Sequence, residues 1–359
     1  MSTLQISLAI GGLLILLGLV IHNAWSARKN LPKQATPTPV NGPDPANTDG
    51  QGASSLPRPD ALAERREPRF EDSGMAALTQ FTAPEKKPAL DALIDAIAPV
   101  ALDSPVSGEA ALAAMPATRR VGSKPFAIEA LNAASGEWEF PAPNQRYSAF
   151  QCGIQLANRT GALNQIEYSE FVMKTQAFVD AIGGVVEFAE MQDEVARARE
   201  LDQLASAHDA QLGINLRALQ TSWSPGYVQQ NAGSLGFVST PIAGRMVLPS
   251  SLQGQGPILG LSFDAQAALA EEPEQTALRE ISLSLDVPQV ARSEQPFARM
   301  CEVAIALAGK MDGVIIDDDG NLIRADAMEV IHADLEQLYD RLDARELSAG
   351  SVLGRRVFS

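Results

Sequence analysis

The first 27 residues contain no Lys, Arg, Asp or Glu, and this one feature most restricts what the chain can become. Ile6 to Ala24 is nearly all Leu, Ile, Val, Gly and Ala, followed by Trp25. A helix of about 20 such residues crosses a hydrocarbon core of roughly 30 Å. Trp25 suits the interface, and the polar His22 and Asn23 sit near the same end. Arg28, Lys29 and Lys33 follow at once, while nothing basic precedes the span. The positive-inside rule then puts the N-terminus in the periplasm and everything after Trp25 in the cytoplasm. The competing reading is a cleaved secretory signal. Such a signal needs a basic leading region, which Met1 to Ser7 lacks, and Ala24-Trp25-Ser26 is a poor cleavage site. Residues 1–27 are therefore read as an uncleaved anchor in the inner membrane.

Residues 28–87 are Pro-rich, with scattered charge and few apolar side chains. Such a composition cannot bury enough surface to offset its ordering entropy, so it reads as a disordered, extended spacer. Residues 28–120 hold 11 basic and 12 acidic residues, so almost all of the net charge of −16 belongs to the rest. An acidic surface of that kind repels phosphate backbones, and no nucleic-acid partner is expected. Cys152 and Cys301 form no spaced metal or redox motif and read as buried, reduced thiols.

From residue 88 onward the pattern predicts a folded α+β body. Leu90, Leu93, Ile94 and Ile97 fall at helical spacing, which predicts a short helix docked on the body or a linear motif for a partner. Ile281 to Val287 alternates as a half-buried strand ended by Pro288. Phe297 to Met311 has one apolar helical face, and Asp312-Gly313 stops it. Val314 to Ile316 is a strand, Asp317 to Asn321 a turn, and Asp326 to Leu342 an amphipathic helix. Leu212 to Leu219, Arg245 to Leu248 and Ile258 to Phe263 read as further strands, and Gly226 to Gly236 as a helix capped by Ser224. The order β-α-β-β-β-α-β-α fits an antiparallel sheet with helices on one face and the other face open.

A similar series lies upstream: a strand at Gln151 to Ala157, a helix at Glu167 to Ile182, a Gly183-Gly184 stop, then Met191 to His208. Leu156 and Phe171 precede Gly184 by the intervals at which Leu285 and Met300 precede Gly313. This spacing predicts a tandem duplication of one module, with chance similarity between helices as the alternative. The resulting division is an anchor at 1–27, a linker at 28–87, a first module at 88–210, a second at 211–345 and a tail at 346–359.

Ser282-Leu-Ser-Leu-Asp-Val-Pro, the helix after it, and Asp312-Gly-Val-Ile-Ile-Asp-Asp resemble the C-terminal FtsZ-binding domain family of ZipA, a bacterial division protein. Val228-Gln-Gln, Gly236-Phe237 and Gly256-Pro-Ile-Leu also resemble that family, over about Leu212 to Asp343. The resemblance implies a non-enzymatic tether that links FtsZ filaments to the inner membrane during septation. It implies that the FtsZ C-terminal peptide docks on the open sheet face. Carried over by strand alternation, that face presents Gly213, Asn215 and Arg217, then Ala243 and Arg245. Next come Leu259, Leu261 and Phe263, then Ser282, Ser284 and Asp286. Core packing is the alternative for the three apolar residues, because a slip of one residue exchanges the two faces. This face is more polar than the family's groove.

The residues offer no catalytic set. His208 and His332 sit at the edges of amphipathic helices, and Asp317-Asp318-Asp319-Gly320-Asn321 lacks the spaced ligands of a calcium loop. No Gly-rich phosphate loop follows a strand, and no Ser-His-Asp or Cys-His set is suggested. No enzyme activity, cofactor, metal or small-molecule substrate is expected. The alternative function is an inner-membrane adaptor of the same fold with a different cytoplasmic partner.

Overall fold

The computed structural model describes residues 32–35 and 90–359. The apolar span Ile6–Ala24 and most of the Pro-rich linker lie outside the described residues. Among the described residues, no helix is long and apolar enough to cross a membrane.

The chain order begins with β1 (Asp95–Ser107), α1 (Gly108–Ala114), β2 (Arg120–Val121), β3 (Lys124–Asn132), β4 (Trp138–Glu139) and β5 (Arg146–Gln155). A small ribbon follows, β6 (Ala157–Asn158) and β7 (Gly161–Ala162), then α2 (Gln165–Ile182), β8 (Gly184–Val186) and α3 (Met191–His208). The second half holds β9 (Gln211–Ala218), α4 (Pro225–Gly233), β10 (Val238–Ser239), β11 (Arg245–Leu248), β12 (Leu259–Ser262) and α5 (Ala265–Ala268). It closes with β13 (Glu280–Asp286), α6 (Pro296–Met311), β14 (Gly313–Ile316), α7 (Ala325–Asp343) and α8 (Val352–Val357).

These strands form two antiparallel sheets and the small ribbon. The first sheet runs β2-β3-β5-β1-β8, with β4 also on β3; the second runs β10-β11-β12-β13-β9-β14. In each, the strand that opens the module lies between the strand leading into the long helix and the short strand that follows that helix. Leu156 and Phe171 in one half, and Leu285 and Met300 in the other, are all buried. The expected α+β class with antiparallel sheets and packed helices is thus what the chain adopts.

Local chemistry sets the helix ends. Asn164 accepts from the amides of Ile166 and Glu167, and the Glu167 carboxylate returns a bond to the Asn164 amide, so α2 starts on a full capping box. It stops at Gly183, whose φ of 70° suits a residue without Cβ. α6 starts at Pro296 and stops on Asp312 at φ 58°, a left-handed turn that Asp tolerates better than most residues. Ser224 caps α4 as expected, through the Tyr227 amide.

Two expectations are corrected. The stretch from Leu90 is a turn leading into β1, not a helix. Asp91 takes the Leu93 amide, the Asp95 carboxylate takes the Asp91 amide, and Ile94, Ala96, Ala98 and Val100 are buried at a period of two. The residues at 346–359 are not a tail. α8 packs into the body, and Val357 and Phe358 are buried.

One hydrophobic cluster runs through both halves. In the first, edge-to-face aromatic pairs such as Phe126–Phe171 at 6.0 Å and Phe150–Phe178 at 5.4 Å fill the space between β3, β5 and α2. Each such buried ring contributes on the order of 2 kcal/mol or more from burial alone. Polar clamps cross between the halves: Arg159 grips Asp209 and Asp286 at 2.6 to 2.9 Å.

Residues 32–35 also belong to the body. The Lys33 amide donates to Ser222, the Ser224 amide donates to Lys33, and Lys33 Nζ reaches the Met311 carbonyl at 3.0 Å and Asp312 at 3.6 Å. Trp223 is fully buried beneath this contact, and its Nε1 donates to the same Met311 carbonyl at 2.8 Å.

Candidate functional site

Each sheet has one face against its long helices and an opposite, more open face, which on the first sheet is met at one corner by Arg356 of α8; both open faces follow from register. On the second sheet, Leu216 pairs with Ile281, Ile214 with Leu283, Leu283 with Leu261, and Leu261 with Met246. These are buried, so they mark the helix-covered side. The opposite side presents Gly213, Asn215 and Arg217 of β9, Glu280, Ser282, Ser284 and Asp286 of β13, Gly260 and Ser262 of β12, and Arg245 of β11.

The structure therefore separates the expected site residues into two groups. Asn215, Arg217, Arg245, Ser284 and Asp286 share the open side. Leu259 and Leu261 do not: each is 1% exposed in the core, and Phe263, next in the same alternation, is half-buried against it. The reason is phase. Ile258 is buried together with Leu259, so the strand carries apolar residues on both sides of its entry, and periodicity alone does not say which set faces the helices.

What remains on the second open face is polar and largely self-paired. Ser282 donates to Asn215 at 2.6 Å, and Asn215 Nδ2 donates to Asp318 at 2.9 Å. Arg217 pairs with Glu280 at 3.1 Å, and Asp286 is held by Arg159 at 2.7 Å. The Asp317–Asn321 turn lies at this face and is closed on itself. Amides of its own residues hold the Asp317 carboxyl below the usual range, the Asn321 amide first among them. Among the described residues, no group of acidic, His or Cys side chains is placed to hold a metal.

The first sheet's open face is different in kind. Phe126, Ile128 and Ala130 of β3 are buried on the helix side, so Ala127 and Glu129 face the other way, opposite Gly153 and Gln151 of β5. Small side chains at Ala127 and Gly153 leave a depression. Leu90 lies directly over Gly153, where an added Cβ would stand 2.4 Å from the Leu90 Cδ2. The Glu129 carboxylate secures Leu90 by its amide at 2.9 Å and takes Gln151 Nε2 at 2.7 Å. The result is a cavity of about 690 Å³ walled by Leu90, Met115, Phe126, Trp138 and Phe140, with Arg119 at the rim. The Arg119 guanidinium stacks 4.3 Å from the Phe140 ring centre. Sequence reasoning missed this feature. Its signals were the small residues Ala127 and Gly153 and the aromatic pair Trp138 and Phe140 around Glu139.

Other reactive groups are absorbed by packing. His208 Nδ1 lies 2.7 Å from the Leu204 carbonyl, and His332 stacks on Phe297. Burial pushes the Cys152 thiol up to about 12, and burial raises Cys301 as well. Cys301 is half-buried rather than fully buried as expected.

Residues 268–334 match the family described as ZipA, C-terminal FtsZ-binding domain. Across that stretch, the chain is ZipA-like. The ZipA-like segment takes in the end of α5, then β13, α6, β14 and the first half of α7. It includes the Ser282–Pro288 and Asp312–Asp318 motifs, whereas Val228-Gln-Gln, Gly236-Phe237 and Gly256-Pro-Ile-Leu lie outside the match. It does not reach the first module or its cavity. No curated protein matches the chain. The ZipA-like match supports FtsZ binding and a role in cell division, which the polar second sheet alone does not suggest.

Proposed function

We propose that this chain is a non-enzymatic tether of the bacterial division ring, anchored in the inner membrane by residues 1–27 and binding the C-terminal peptide of FtsZ on an open sheet face of its cytoplasmic body. The observation that carries the reading is the match of residues 268–334 to the ZipA FtsZ-binding domain family. The match coincides with a strand, helix, strand and helix packed as one unit. The uncharged N-terminal span with basic residues on its C-terminal side supports the anchor and its direction. We also read the two halves as copies of one module; the support is their common strand order and the equal spacing of buried residues before Gly184 and Gly313.

A second reading is an adaptor of the same fold with a different partner. It is favoured by the self-paired polar face of the second sheet, where Arg217 and Asn215 are already engaged. Two measurements separate the readings. A fluorescent fusion to the full chain should form a band at midcell in dividing cells, and uniform membrane fluorescence would point to the other adaptor. Labelled FtsZ C-terminal peptide should bind the full chain in a titration; absence of binding would remove FtsZ as the partner.

A further inference from the structure

We infer that the peptide-docking site of this chain is the cavity on the open face of the first sheet, and that it takes an extended acidic peptide that adds to the edge of β3 and inserts one apolar side chain. The inference deepens the division-ring reading, and for FtsZ as the occupant it rests on that reading.

Three observations converge. The first is a strand edge that the described residues leave uncovered. β2 pairs with β3 only at Lys124 and Pro125, and β4 only at Ala130 and Leu131. The Phe126 amide turns outward, to the Arg119 carbonyl. Antiparallel alternation then turns the N–H and C=O of Ile128 to the same outward side, in the gap between β2 and β4. The Ile128 side chain is in the core, yet Ile128 lines the cavity, so its main chain faces the cavity. A peptide strand entering the gap would complete those bonds, as in recognition by strand addition.

The second observation is the apolar wall. Trp138 is 45% exposed at the rim, although a tryptophan gains most by burial. With Met115 and Leu90 it surrounds a volume that accepts a Phe or Leu side chain of the incoming strand. The third is charge. Arg119 is exposed, stacked on Phe140, and has no carboxylate partner among the described residues. Glu129 and Glu139 also line the cavity, but Glu129 is taken up by the Leu90 amide and Gln151, and Glu139 by Asn132 and Tyr147, while Arg356 is held by Asp95. Arg119 is therefore the charge at the mouth that favours a peptide with a carboxylate beside its anchor. The second sheet lacks this combination: Asn215, Arg217, Ser282 and Asp286 of its open face are engaged by one another or by neighbours, and among the described residues no apolar wall stands beside them.

The test uses the full chain and two probes: labelled FtsZ C-terminal peptide, and a capped acidic peptide with one Phe in a run of valines. Trp138→Ala should weaken binding at least about tenfold, and Arg119→Glu by a similar factor, with more loss at low salt. Both side chains are exposed enough that melting temperatures should hold, and Arg119→Glu carries the test where Trp138→Ala lowers stability. Arg245→Glu on the second sheet should leave binding unchanged. Groove variants that bind like wild type, or loss of binding in Arg245→Glu alone, would overturn the inference. If only the synthetic probe binds, with the same variant pattern, the groove stands and the FtsZ reading falls. Binding of neither probe overturns the groove. So does a dimer in sedimentation that Trp138→Ala dissolves, because a second copy would then be the occupant.

Discussion

Arg356 closes on Asp95 with two charge-assisted bonds, at 2.5 and 3.0 Å, joining α8 near the end of the chain to the start of the first sheet. Asp95 is 1% exposed. Burial raises its carboxyl above the usual range, and Arg356 pulls in the opposite direction. Arg356→Ala would leave a buried, unpaired carboxylate and should cost about 3–5 kcal/mol. A raised folded-state value means the folded protein holds the proton to higher pH than the unfolded chain. Stability from this group is therefore lost as pH rises from the unfolded value through the folded one. In Arg356→Ala the folded value should rise further, so the variant's deficit should be smaller in acid than at neutral pH. Urea unfolding from pH 4 to pH 7 checks the sign.

The clamp of Arg159 on Asp209 and Asp286 joins the two modules at a partly exposed site. Screening limits its worth, so Arg159→Ala should cost only about 1 kcal/mol. The cost should shrink in 1 M salt. Denaturant titrations at two salt concentrations measure it.

Leu261 lies in the core between β11 and β13. Leu261→Ala should destabilise by about 2–5 kcal/mol. Peptide affinity of the remaining folded protein should stay the same. Thermal melts beside a peptide titration distinguish this from an anchor on the binding face.

Gly313 faces Trp223, where an added Cβ would meet the ring at 3.0 Å and the Arg217 carbonyl at 3.3 Å. Neither neighbour is a flexible chain end. Gly313→Ala should therefore cost about 1–3 kcal/mol. At Gly153 the nearest atoms to an added Cβ are those of the Leu90 side chain, from 2.4 Å, which can turn aside. Gly153→Ala should leave the melting temperature nearly unchanged while displacing Leu90 and weakening peptide binding.

The long elements were legible because their signals are local. Gly183 and Ser224 announce helix ends through bonds made within a few residues. Phase was not legible. Ile258 and Leu259 are both buried, so the face of β12 depends on which neighbours it meets. At Leu90, helical spacing competed with the alternation of Ile94, Ala96, Ala98 and Val100, and pairing with β5 decided for the strand. The cavity was hidden for a related reason. It is made by residues distant in the chain, Leu90 over Gly153 and Arg119 beside Phe140, and by what small side chains leave empty.

The seat of Lys33 bears on how far such a tether can reach. With the proposed span ending at Trp25, only Ser26 to Lys33 separate the bilayer from a residue bonded to Ser222, Ser224 and Met311. Eight residues extend at most about 30 Å. The length between Ala35 and Leu90 then adds nothing to that distance, because the residues at both of its ends belong to the body. A filament held by this protein would ride within that short distance of the membrane, whatever the number of residues in the Pro-rich segment.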